Sequence, residues 1–176
     1  MTQAPTLTTG RLILRAHGLD DFPDMAKMWA DPDVVRYISG KPSTHPESWA
    51  RFLRNIGHWE MLGFGYWLVA DKTTGAFLGE VGFADFQRDM TPSFAGMPEA
   101  GWVMTTASHG KGLAQEAMQC ILNWADATLT AQHSVCMISP DHQASIRLAE
   151  KLGFGDKALA NYLGEPVLTF KRNRPS

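Results

Sequence analysis

Between residues 109 and 129 the chain reads His109-Gly110-Lys111-Gly112 and then a run whose apolar residues fall at 114, 117, 118, 121, 125 and 129. Steps of three and four predict one long amphipathic helix over Leu113 to Leu129, entered from a loop that carries two glycines. A strand predicted at about Ala100 to Thr105 leads into that loop. In such a strand–loop–helix unit the first N–H groups of the helix have no carbonyl one turn back, and glycines let the backbone close around whatever those groups point at. The natural occupant is an anion. The helix dipole supplies only about 0.3–1 kcal/mol, so several amide hydrogen bonds to charged oxygens, each worth roughly 1.5–3 kcal/mol, must dominate. The loop therefore reads as a diphosphate cradle, or, without a ligand, as a plain glycine turn entering a helix.

Spacing narrows the diphosphate. A nucleotide P-loop needs Ser or Thr after its lysine, and Gly112 follows Lys111. A dinucleotide fingerprint wants glycine where Gln115 stands, on an early strand–helix unit.

The rest of the 176 residues reads as one domain, 1–176, without repeats or composition breaks. Arg11 to Arg15 alternates like a strand. Phe22, Met25, Ala26 and Trp29 form the apolar stripe of a helix started by Asp20 and Asp21, and Thr44 to Glu47 opens a second helix ending near Gly63. Phe64 to Ala70 and Ala76 to Phe86, joined by Lys72-Thr73-Thr74-Gly75, predict a β-hairpin. Val135 to Ile138 is a short buried strand, Ser139 with Pro140 caps a fourth helix stopped by Gly153, and Val167 to Phe170 closes the series. The pattern implies an α/β mixed sheet with helices on both faces. Net charge is −2, which gives no global field for nucleic acid, and the longest apolar run is far short of the roughly 20 residues of a membrane helix. Cys120 and Cys136 have neither disulfide-framework nor zinc-ligand spacing, and no metal site is readable. Met1 to Gly10 lacks a secretory pattern, so residence in the cytoplasm is expected.

Trp102-Val103-Met104, then HGKGLAQEA, then Ser-x-Arg-Leu-x-Glu-Lys-Leu-Gly-Phe from Ser145 to Phe154 together resemble the GNAT N-acetyltransferases, most closely the branch of ribosomal-protein N-terminal acetyltransferases and their small-molecule relatives. The likeness extends from Leu12-Ile13-Leu14-Arg15 through Leu78-Gly79-Glu80-Val81-Gly82 to Gly164-Glu165-Pro166-Val167. It implies the GNAT fold, a mostly antiparallel twisted central sheet. It also implies acetyl-CoA as co-substrate, with the pyrophosphate on the amides of Gly110, Lys111, Gly112, Leu113 and Ala114 and the pantetheine amides on the backbones of Val103 and Met104. His109 stands at the family's Gln/Arg position. His142 stands where the family commonly has an Asn that contacts the coenzyme arm, and Asp141 beside it either fixes its tautomer or sits as an acidic residue in a helix first turn.

Acyl transfer to an amine needs a neutral nucleophile, oxyanion stabilisation and a proton for the departing thiolate. An α-amine of pKa about 8 is roughly 10 % neutral at pH 7, a lysine amine less than about 0.1 %. By resemblance Ser145 and Tyr162 are the candidate proton donors, and Glu99 a candidate base through water, with Glu80 a weaker one. Their plain readings are a helix-start hydrogen bond, a packed ring with a wet hydroxyl and a loop carboxylate. Trp29, Trp49 and Trp59 read as core or as lining for the acceptor. The acidic group Asp20, Asp21, Asp24, Asp31 and Asp33 reads as helix starts or as steering for a cation. Lys171, Arg172 and Arg174 read as a solvated tail or an RNA contact. The expected activity is transfer of acetyl from acetyl-CoA to a primary amine, a protein N-terminus or a small molecule, directly in a ternary complex. The expected partner is that amine alone, with neither nucleic acid nor membrane, for a monomer or homodimer. A catalytically silent acyl-CoA-binding module is the alternative.

Overall fold

A computed structural model describes residues 3–175. Its frame is one eight-stranded sheet in the order β1-β2-β3-β4-β5-β6-β8-β7. The strands are β1 (Leu7–Thr8), β2 (Leu12–Arg15), β3 (Tyr66–Asp71), β4 (Phe77–Ala84), β5 (Glu99–Met104), β6 (His133–Ile138), β7 (Gly155–Tyr162) and β8 (Glu165–Asn173). Every pairing is antiparallel except β5 with β6.

The helices are α1 (Phe22–Trp29), α2 (Pro32–Val35), α3 (His45–Leu62), α4 (Leu113–Thr128) and α5 (Gln143–Lys151). Alternation along the central strands divides the core in two. Val81, Phe83, Trp67, Ala100 and Met104 pack with Ala117, Met118, Ile121 and Leu122 of α4 and Ile146 and Ala149 of α5. Val103, from the opposite face of β5, packs with Met25 and Trp29 of α1, Val34 and Val35 of α2 and Phe52 of α3. The helices thus cover both faces, as the sequence pattern implies.

Local signals explain the helix ends. Thr44 and Glu47 form a reciprocal capping box at the start of α3, and Gly63 ends it in the left-handed region at φ 72°. The fourth predicted helix begins later than Ser139-Pro140 suggests: α5 starts at Gln143 and His142 is its cap. The closing strand is longer than Val167 to Phe170 and is paired with β7, whose mostly exposed, weakly alternating residues gave no strand signal. Lys171, Arg172 and Arg174 are no solvated tail. Lys171 and Arg172 lie in β8, Arg172 binds Asp126 through two hydrogen bonds, and Arg174 caps the Leu129 carbonyl. Trp29 and Trp59 are core, whereas Trp49 is 38 % exposed.

Candidate active site

The parallel pair β5·β6 is joined at a single rung, Glu99 against Val135, with the Val135 N–H donating to the Pro98 carbonyl at 3.0 Å. Beyond it the two strands separate, which opens a cleft along β5 up to Met104. The Thr105 N–H donates to the Leu78 carbonyl at 2.9 Å and fixes the phase of the β4·β5 ladder. Val103 and Gly101 therefore turn their amides to β4, while Trp102 and Met104 turn theirs to the cleft. The Val103 carbonyl lies against Gly79 of β4, so its backbone does not face the cleft. Trp102 and Met104, two residues apart, present the backbone edge that β6 leaves unpaired, with the Met104 carbonyl also accepting from His109.

The cleft runs into the glycine loop. Gly110 and Gly112 both have φ 72°, and a Cβ on Gly110 would meet nothing within 4 Å. Gly112 is the N-cap of α4, and its carbonyl accepts from the Glu116 N–H. The N–H groups of Leu113 and Ala114 therefore have no helical acceptor and open toward the loop. Arg11 braces this turn from β2's side, with Nη1 on the Lys111 carbonyl at 2.9 Å and Nε on Glu116 at 2.7 Å. Its Nη2 stands 3.8 Å from where a Gly112 Cβ would be and is ion-paired with Glu116 at 2.7 Å. Arg11 gave no sequence signal, because its place depends on β2 lying next to α4.

Three further residues close the same end of the cleft. His109 Nε2 lies 3.0 Å from the Met104 carbonyl, and since a carbonyl only accepts, this nitrogen carries the proton. The imidazole thus spends its donor within the chain. His142 Nδ1 accepts from the Ser145 N–H at 3.4 Å, which leaves the proton of the neutral ring on Nε2, 3.1 Å from Ser145 Oγ. Trp102 Nε1–H donates to the same oxygen at 3.1 Å. Both lone pairs of the Ser145 hydroxyl are occupied, and its own proton is free for another acceptor. Burial, with His109 nearby, lowers the His142 pKa below the ordinary histidine value, so the ring is neutral at pH 7. Tyr37, just past α2, covers the ring at 4.8 Å between centroids.

Glu99 and Tyr162 belong to a separate group on the α3 side of the sheet. Arg88 binds both Glu99 oxygens, at 2.8 and 2.9 Å, and stands 4.8 Å from the Tyr162 ring centroid. Glu99 is buried and ion-paired, not the loop carboxylate of its plain reading. Tyr66 crosses Gly82 and Gly101, and its hydroxyl occupies the space a Gly101 side chain would fill. Burial and the carboxylates of Glu99 and Glu80 push this phenol well up. Glu80 is fully buried and accepts from His17 Nε2 at 2.6 Å, Trp29 Nε1 at 2.8 Å and Asn55 Nδ2 at 2.9 Å. With three partners it is a structural hub, unsuited to moving a substrate proton. Arg88, Trp102 and Tyr66 were missed by sequence reasoning because each acts through a partner distant in the chain.

Comparison with known proteins agrees with this geometry. Residues 11–155 match the model of the GNAT acetyltransferase domain. A protein of Bordetella pertussis described as a GNAT-family acetyltransferase is 31 % identical, with a TM-score of 0.86 over 96 % of this chain and 99 % of that one. The N-acetyltransferase p20 of Bacillus licheniformis is 27 % identical over 88 % of this chain and 84 % of its own. A ribosomal-protein alanine acetyltransferase from Vibrio fischeri, 16 % identical, shares the fold with a TM-score of 0.76 over 98 % of each chain.

Proposed function

The chain belongs to the GNAT acetyltransferase family, and from that premise we propose that it transfers the acetyl group of acetyl-CoA to a primary amine by direct attack in a ternary complex. The observation that carries this reading is the continuity of three parts: the free backbone edge of Trp102 and Met104, the open left-handed glycines, and the unpaired N–H groups at the start of α4. These fit the coenzyme. The amides from Gly110 to Ala114 would hold its pyrophosphate, Arg11 would hold the turn in place through the Lys111 carbonyl, and the Trp102 and Met104 backbones would pair with its pantetheine amides. Bound there, acetyl-CoA supplies an activated thioester.

Ser145 is the proton donor this arrangement favours, because two N–H donors hold its oxygen and leave its hydrogen directed elsewhere. His142, neutral and hydrogen-bonded to that oxygen, orients it. Tyr162 sits with Arg88 and Glu99 and faces the acceptor side. Neither Glu99 nor Glu80 is favoured as a base acting by contact, since Arg88 holds both oxygens of Glu99 and His17, Trp29 and Asn55 hold Glu80 in the core. An amine of pKa about 8 needs little help, being roughly one-tenth neutral at pH 7.

The test is thiol release from acetyl-CoA by the purified protein across a panel of primary amines, alongside calorimetry of acetyl-CoA. Amine-dependent thiol release is expected. Binding without release by any amine would make the protein an acyl-CoA-binding module, and absence of binding would remove the coenzyme reading.

A further inference from the structure

On the face of the sheet opposite Ser145, three guanidinium groups converge where the amine would enter. Arg51 and Arg54 lie one turn apart on α3, and Arg88 reaches the same place from the segment after β4. Arg51 stacks on Trp29 at 3.6 Å from the ring centroid. Arg54 and Arg88 share the ring of Phe86, at 4.9 and 4.6 Å. Arg88 is neutralised by Glu99, but among the described residues Arg51 and Arg54 form no ion pair. Arg51's recorded hydrogen bond goes to the neutral hydroxyl of Ser43, at 3.2 Å. The buried carboxylate of Glu80 acts on both electrostatically, but its hydrogen bonds come from His17, Trp29 and Asn55.

Two adjacent cations held on aromatic faces and ion-paired with no carboxylate repel each other, and an anion that joins them relieves that repulsion. Burial, with Arg54 beside Arg51 and Arg88 beside Arg54, lowers the pKa of both groups, yet an arginine stays charged at neutral pH. The Tyr66 hydroxyl lies against Gly101 on β5, and Glu80, Glu99, Arg54 and Arg88 all act on it electrostatically, so this charged cluster borders the strand that flanks the cleft.

We propose that the acceptor is a primary amine that also bears a carboxylate, and that Arg51 and Arg54 bind this carboxylate beside Tyr66. The inference rests on the acetyltransferase reading above and names the class of its second substrate. A guanidinium fork matches a carboxylate's two oxygens, and the stacked rings hold both forks in place before the substrate arrives. A peptide N-terminal amine also meets the demand for an amine that is appreciably neutral at pH 7, which a polyamine does not. A free amino acid and a peptide with Asp or Glu beside its N-terminus present the same chemistry.

The test compares acceptors with and without the carboxylate, with kcat/KM expressed per neutral amine: free amino acids against their amides, and short peptides with Asp or Glu against Asn or Gln at the second position. Spermidine serves as the cationic control. We expect kcat/KM to be at least about tenfold higher for the carboxylate member of one pair, as loss of a charged hydrogen bond implies. Whichever pair shows the preference identifies the source. In the double variant Arg51→Gln/Arg54→Gln that ratio should fall toward one, while acetyl-CoA affinity by calorimetry stays at the wild-type value. If the double variant does not fold, Arg54→Gln alone, whose side chain is more exposed, should still cut the ratio severalfold. A ratio near one in the wild type, a ratio unchanged in the folded variant, or turnover of spermidine or amides only would each overturn the proposal. Failure of the acetyltransferase reading looks different, because then acetyl-CoA does not bind or no amine at all releases thiol, and the proposal falls with it.

Discussion

At Ser145 the hydroxyl oxygen accepts from the Trp102 indole and the His142 ring, so the part of the residue left for chemistry is its proton. Replacing Ser145 by Ala should lower kcat about a hundredfold or more and leave acetyl-CoA affinity near wild type, because general-acid help is worth that much and no binding contact is lost. Stopped thiol-release assays with calorimetry on the same sample check both halves. Wild-type kcat in a folded Ser145→Ala would assign protonation of sulfur to water or to the substrate ammonium. The neighbouring His142 also caps α5 through its Nδ1, which requires the neutral ring. Its folded pKa is depressed, so the unfolded chain binds more protons as pH falls below about 6.5. The resulting stability is full above that pH and is lost as pH drops toward the folded value. Thermal melts from pH 7 to pH 5 should show a falling Tm, and His142→Asn, which retains a capping oxygen, should fall less steeply. Equal slopes would mean that the acid sensitivity comes from elsewhere, such as His58, whose pKa burial also lowers.

At the scale of the element, the start of α4 and the middle strands of the sheet respond to substitution for different reasons. Gly112 takes φ 72° at the mouth of the loop, and Gly112→Glu would bring a bulky negative side chain into the space meant for an anion. Loss of acetyl-CoA binding with the fold retained is expected by calorimetry and circular dichroism, and unchanged affinity in a folded variant would remove the loop from the coenzyme site. Gly82 and Gly101 stand side by side on β4 and β5 under Tyr66. A Cβ on Gly82 runs into the Tyr66 Cα and the Gly65 carbonyl, which are backbone, whereas one on Gly101 meets only the far end of the Tyr66 side chain. Gly82→Ala should therefore cost stability heavily. Gly101→Ala should fold, displace the phenol and raise KM for the acceptor. Denaturant unfolding and steady-state kinetics separate the two. The strong elements were legible because their periodicity was: α4 and the β3–β4 hairpin fall within a few residues of their predicted ends. β7 was not legible, since an edge strand exposed on most of its length has no apolar face to announce it.

For the molecule as a whole, Glu80 is the point where separate parts of the chain are joined. His17 after β2, Trp29 of α1 and Asn55 of α3 all donate to this one carboxylate on β4, within the core. Glu80→Ala would strand three buried donors, and a loss of about 3–5 kcal/mol is expected from the general cost of removing one member of a buried charged network. Urea unfolding measures it, and a loss below about 1 kcal/mol would mean that water takes the carboxylate's place. The sequence by itself determined the class of the fold, the glycine loop at the start of α4 and the family, because periodicity, glycine placement and a motif of fixed spacing are local properties of the chain. Ser145 and His142 were candidates through the family resemblance, which assigns roles to positions in a local motif. Only the tertiary structure decided which backbone edge of β5 faces the cleft, that Glu99 is held by Arg88, that Glu80 is a hub, and that Arg51 and Arg54 form no ion pair among the described residues. Each of these depends on groups brought together from distant positions, Glu80 with His17 across 63 residues, for example. No pattern within a strand or helix encodes such a meeting; it exists once the sheet has chosen its strand order and the helices their faces.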